Sequence, residues 1–166
     1  MTSARSQRLR SAAATLIAAT ALAVAGCSGT GVGAQTNQQY QAGVGANLRT
    51  GQVQLYNALA VDNGDGTATL SAVVVNTTDE TQKLDGVTAT SGGKEVDVEA
   101  APAIIGPRDS FNTGPAATVV LTSDAMTAGD YVTLTMTFDQ AGEVTIEAPV
   151  VPRTEMYTEV AEKPGG

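Results

Sequence analysis

The chain has 166 residues, with nine basic and 17 acidic side chains, one cysteine and neither histidine nor tryptophan. Lacking histidine, it has no Ser-His-Asp or Cys-His arrangement and lacks the commonest general base. A net charge of −8 opposes contact with nucleic-acid phosphates and anionic lipid head groups, so no nucleic-acid partner is expected.

The first ten residues carry Arg5, Arg8 and Arg10 and no acid. Residues 12–25 are uncharged and Ala-rich, with Leu16, Ile17, Leu22 and Val24. That stretch is too short to span a bilayer and has the length of the apolar part of a signal peptide. It ends in Val24-Ala25-Gly26-Cys27, a lipobox: a branched aliphatic, two small residues that thread a peptidase cleft, then cysteine. Cleavage is expected between Gly26 and Cys27, with the Cys27 thiol carrying a diacylglycerol and its freed amine open to a further acyl chain. The arginines are not adjacent, which points to general secretion and not to twin-arginine export. Each buried methylene contributes about 0.8 kcal/mol, so two or three acyl chains hold firmly. The expected product is a chain anchored to the extracytoplasmic face of the cell membrane through diacylglyceryl-Cys27. With Cys27 acylated, no thiol remains for a disulfide, a metal or a nucleophile. Three basic residues and no acid precede Cys27, leaving six against 17, so residues 27–166 carry a net charge of −11.

Residues 27–47 are Gly-, Gln- and Ala-rich without hydrophobic period and read as a lipidated flexible tether, spanning roughly 25 Å as a coil. From residue 48 to 152 the pattern is β. Upstream, Val53-Leu55 and Leu59-Val61 approach a turn at Asn63-Gly64-Asp65-Gly66, and TATLSAVVV from Thr67 returns as a largely buried strand. Further strands are predicted over residues 84–90, 94–99 and 117–122. In YVTLTMTF, Val132, Leu134, Met136 and Phe138 face one side and Thr133, Thr135 and Thr137 the other. After Asp139-Gln140-Ala141-Gly142 the alternation resumes in Val144, Ile146, Ala148 and Val150, which makes an antiparallel hairpin. About seven short strands punctuated by Gly, Pro, Asn and Asp predict one all-β domain, an antiparallel β-sandwich of immunoglobulin or cupredoxin type. The Pro- and Gly-rich stretch between Ala100 and Pro115 reads as its longest irregular connection, either a binding loop or a bare crossover. Residues 153–166 read as a loose polar tail.

Few combinations of side chains suggest chemistry. Ser91 near Lys94 falls in a Gly-Gly turn, where a solvated lysine is the ordinary explanation. Asp79-Glu80 and Asp97 with Glu99 would serve glycoside hydrolysis only in a deep cleft, and six aromatic residues in all are poor material for a sugar-stacking platform or an aromatic cage. Asp62-Asn63-Gly64-Asp65-Gly66-Thr67 has the flavour of a calcium loop but lacks the ligand spacing and the bidentate Glu, so it reads as a hairpin turn. Asn76-Thr77-Thr78 matches a glycosylation sequon and reads more simply as the end of a strand. No catalytic residue, metal ligand or cofactor is expected.

The stretches VVVNTTDETQKLDGVTATSGGKEVDV and AGDYVTLTMTFDQAGEVTIEAPV carry a resemblance. The Asn-ended strand at Asn76, the Leu-x-Gly-Val strand from Leu84, the Ala-Gly-Asp turn from Ala128 and the hairpin from Thr137 to Val144 resemble actinobacterial LpqE-type lipoproteins. These in turn resemble the periplasmic copper chaperones of the PCu(A)C family. The resemblance covers residues 48–151. It implies the chaperone fold, with copper held by His and Met from the strand near Val96 and Glu99 and from the strand entering near Ala116 and Val120. Neither place has a His or Met here; Met136 falls on the inward row, and Met126 stands where a hydrophobic residue precedes the Ala-Gly-Asp turn. One thioether does not make a Cu(I) site. The resulting expectation is a non-enzymatic, lipid-anchored binding or accessory module for another envelope protein or ligand. Its alternative is copper handling by a PCu(A)C-like fold without the His and Met ligands.

Overall fold

Alternation at a period of two places every second side chain of YVTLTMTF in the core, and the computed structural model bears this out. It describes residues 44–124 and 126–163; Gly26, Cys27 and most of the expected tether lie outside them. Val132, Leu134, Met136 and Phe138 are each at most 2% exposed, Thr133 and Thr135 are half-buried, and Thr137 is exposed. Thr133 stands between Thr90 and Glu147 and Thr135 between Thr88 and Thr145, whereas Thr137 has Gly86, with no side chain, on one side; Thr135 and Thr145 share a hydroxyl hydrogen bond of 3.0 Å.

The described residues form ten strands: β1 Ala46–Leu48, β2 Val53–Asp62, β3 Thr67–Asn76, β4 Gln82–Ser91, β5 Lys94–Ala100, β6 Ala103–Ile105, β7 Ser110–Asn112, β8 Val119–Thr122, β9 Tyr131–Phe138 and β10 Gly142–Pro152. They contain no α-helix, and the all-β expectation holds. The turns form where glycine permits them. Gly64 and Gly66 between β2 and β3, Gly92 and Gly93 between β4 and β5, and Gly142 opening β10 all have positive φ, which costs glycine nothing. Val53-Leu55 and Leu59-Val61 are halves of the single strand β2, separated by a bulge where Asn57 takes φ 52°.

The expected antiparallel sandwich needs correction. The strands pair in the order β2-β10-β9-β4-β5-β8-β3, and β3 returns to pair with β2, so seven strands close into a barrel. One junction is parallel: Val150, Val151 and Pro152 of β10 stand opposite Ala60, Val61 and Asp62 of β2. Closure removes the open edges that a sandwich leaves. The short strands β1, β6 and β7 pair along β2, β4 and β3. The boundary expected at residue 48 falls inside β1, which begins at Ala46, and the connection between Ala100 and Pro115 holds two short strands. The interior is aliphatic, with Leu55, Leu70, Leu121, Leu134 and Met136 among the most enclosed side chains.

The loose C-terminal tail is a second correction. After β10 the chain makes a 3-10 turn at Glu155–Tyr157 and lays Val160 over Leu59, Val61 and Val151 on the outside of the barrel. Arg153 fastens it, donating to the carbonyls of Val160 (2.8 Å) and Tyr157 (3.3 Å) and to Asn63 Oδ1. This cover explains why Ala58, Leu59, Ala60 and Val61 are buried in succession. One face of β2 looks into the barrel and the other lies under the tail.

Candidate functional site

Strands β5 and β8, the two places implied for copper ligands, are neighbours, with Val98 opposite Leu121 and Glu99 opposite Val120. The donors needed there are missing. The accessible ligand-type groups are the exposed carboxylates of Asp97 and Glu99, while Val120 and Val96 are buried aliphatics. Carboxylates are hard ligands and Cu(I) selects soft thiolate, thioether or imidazole donors, so this surface does not fit that ion. Met126 and Met136 are both enclosed in the core cluster, and Met156 is exposed on the C-terminal 3-10 turn. Among the described residues no group of three His, Cys, Asp or Glu side chains stands close enough to hold a metal.

The loop from Asp62 to Thr67 lines, with Asp124 and Met126, a hollow of about 400 Å³. Its carboxylates are occupied in holding the turn. Asp62 accepts from Gly64 N–H (2.8 Å) and Ala128 N–H (3.2 Å), and Asp65 accepts from the hydroxyl (2.5 Å) and N–H (3.1 Å) of Thr67. The Thr67 hydroxyl, then its N–H, holds the Asp65 carboxyl below its ordinary value. This is the hairpin turn the spacing suggested.

The remaining candidates are accounted for in the same way. Ser91 gives its hydroxyl proton to the Tyr131 carbonyl (3.0 Å), so it forms no dyad with Lys94, its cross-strand neighbour. Asp79 meets Arg108 at 2.9 Å, and that contact lowers the carboxyl pKa and raises that of the guanidinium. Asn76 is 1% exposed, so no glycan can reach its amide. That amide donates to the carbonyls of Glu80 (2.6 Å), Gly106 (2.8 Å) and Ile105 (3.3 Å), and its oxygen accepts from Thr78 N–H (3.0 Å) and hydroxyl (2.8 Å). It ties the stretch after β6 to the end of β3. Beside that stretch, the hollow lined by Ala100, Ala101 and Pro102 holds about 40 Å³, room for little more than one water.

The sequence reading missed one concavity. The β4–β5 turn and the start of β9 bound a groove of about 590 Å³ lined by Thr90, Lys94, Asp130, Tyr131, Thr133 and Glu147. Its only signal was the row of polar residues on the outward side of β4, β9 and β10, which resembles any solvated strand face.

No family model matches the chain, and no curated protein does. Solved structures do. The copper-bound PCuAC domain from PmoF2 is 24% identical with a TM-score of 0.52, over 65% of this chain and 99% of that one. The apo PCuAC domain from PmoF1 is 20% identical with a TM-score of 0.53, over 65% of this chain and all of that one. The apo PmoF2 domain is 23% identical with a TM-score of 0.50, over 64% of this chain and 95% of that one. The barrel therefore has a PCuAC-like fold.

Proposed function

We propose that this chain is a lipid-anchored accessory of extracytoplasmic copper handling, built on a PCuAC-like barrel that does not carry the metal at a His/Met site. The observation behind this reading is the fold, which spans the whole or nearly the whole of the PCuAC domains it matches. The anchor is diacylglyceryl-Cys27, and the finer affiliation is with LpqE-type lipoproteins, on the strand and turn residues from Asn76 to Val144. The protein is not an enzyme; its partner is another envelope component, on which it acts through surface contacts. A second reading, a binding module unrelated to copper, is favoured by the carboxylate and aliphatic side chains on β5 and β8.

Deletion of the gene in its parent cell separates the two. The copper reading expects altered growth under copper excess or starvation, restored by the native chain and not by Cys27→Ser, which is released from the membrane fraction. Unchanged copper tolerance and unchanged loading of extracytoplasmic copper enzymes would overturn it and leave the second reading. In competition against a chromogenic Cu(I) chelator, the chain from residue 27 with Cys27→Ser should hold copper no better than a generic acidic protein. A stoichiometric site surviving at sub-micromolar free copper would contradict the accessory role and make the chain a carrier.

A further inference from the structure

We infer that the groove between the β4–β5 turn and the start of β9 is a binding site for a neutral oligosaccharide. Thr90 of β4, Thr133 of β9 and Glu147 of β10 stand opposite one another in register, so neighbouring groups lie about 4.8 Å apart across the strands. Tyr131 lies two residues before Thr133 on the same side of β9, with 58% of its surface exposed. Lys94, after the Gly92-Gly93 turn, and Asp130, before Tyr131, complete the lining of the groove.

What marks this row is that its open polar groups line one concavity. Some outward polar groups elsewhere on the barrel are paired, Thr135 with Thr145, Lys83 with Asp85 and Arg108 with Asp79. The side chains of Thr90, Lys94, Tyr131, Thr133 and Glu147 have no side-chain hydrogen bond or ion pair among the described residues; the Ser91 hydroxyl reaches only the Tyr131 backbone carbonyl. Lys94 and Glu147 share the groove without pairing. Donors and acceptors are thus both left open in one concavity, beside a single accessible ring. Its volume lies within the range of about 300–1,000 Å³ usual for small-molecule sites.

The chemistry of the lining selects the ligand class. Two carboxylates against one ammonium disfavour a phosphate or other anion. The scarcity of apolar lining disfavours a lipid or hydrophobic peptide. A sugar meets the remaining conditions: hydroxyls that donate to Glu147 and accept from Lys94 and the threonines, and a C–H face that lies on the Tyr131 ring. One ring is far from a stacking platform, so a weak, millimolar-range affinity is expected. The inference stands apart from the copper reading, because only Lys94, the first residue of β5, is shared with that strand pair, and it lies outside the stretch from Asp97 to Ala100 that pairs with β8.

The test is an NMR titration of the chain from residue 27 carrying Cys27→Ser, with maltotriose, cellotriose and chitotriose as probes and tetralysine as the cationic comparison. At least one trisaccharide should give saturable shifts at the amides of residues 90–94, 130–133 and 147. Tyr131→Ala should weaken it roughly tenfold, the loss of one stacked ring, Tyr131→Phe should retain most of it, and Glu147→Gln should weaken it several-fold. Thr137→Ala, on the same strand outside the groove, should change nothing. Absence of saturable shifts with all three sugars, equal binding by Tyr131→Ala, or shifts at these amides with tetralysine alone would each overturn the inference.

Discussion

Replacing Asn76 by alanine should destabilise the barrel out of proportion to the side chain's size. The amide is 1% exposed and joins three carbonyls, those of Glu80, Ile105 and Gly106, to the N–H and hydroxyl of Thr78. The Thr78 and Glu80 groups lie at the surface and can turn to water. The Ile105 carbonyl is buried and the Gly106 carbonyl half-buried, and a buried polar group left unpaired costs about 1–3 kcal/mol. The expected loss for Asn76→Ala is therefore about 2–4 kcal/mol, a large share of the roughly 5–15 kcal/mol that holds a typical domain. Asn76→Asp keeps the shape but turns a carboxylate toward three carbonyl oxygens. Burial and those oxygens favour its neutral form, raising its folded pKa above the unfolded value of about 3.9. Its penalty should be small below that pH and grow as pH rises through the interval between the two values, because the folded state then holds the extra proton. Urea unfolding followed by far-UV circular dichroism, at pH 7 and pH 4, measures both variants against the native chain at each pH. A loss under about 1 kcal/mol for Asn76→Ala, or a penalty for Asn76→Asp that does not rise with pH, would refute the buried polar knot.

Phe138→Ala should cost about 3–5 kcal/mol, the range for an enclosed aromatic, whereas Thr137→Lys beside it should stay within about 0.5 kcal/mol because its side chain is exposed; equal losses in urea would mean the inward row is assigned to the wrong face. Val160→Asp puts a charge over Leu59, Val61 and Val151, so it should forfeit the roughly 1.5–3 kcal/mol of a buried valine and speed proteolytic cleavage within residues 153–163. Unchanged cleavage would show that the C-terminal segment does not cover that face.

Much of this protein is legible without coordinates. The period-two rows of β9 and β10, the positive-φ glycines at Gly64, Gly66, Gly92, Gly93 and Gly142, and the lack of soft metal donors on β5 and β8 are local properties of residue type and order. Backbone sterics and side-chain polarity act on them wherever the strand ends up. Three other features belong to the tertiary structure: the parallel junction of Val150 with Ala60, the C-terminal segment over Leu59 and Val61, and the groove at Tyr131. Alternation states which face of a strand is buried and leaves open which strand lies beside it, so a sandwich and a closed barrel share one pattern. Val160 amid polar residues has no period to mark it, and it becomes core only because the successive apolar residues of β2 leave an outer face to cover. Thr90, Thr133 and Glu147 lie 43 and 14 positions apart along the chain; only strand pairing, which hydrogen bonds and closure of the core decide together, sets them in one row.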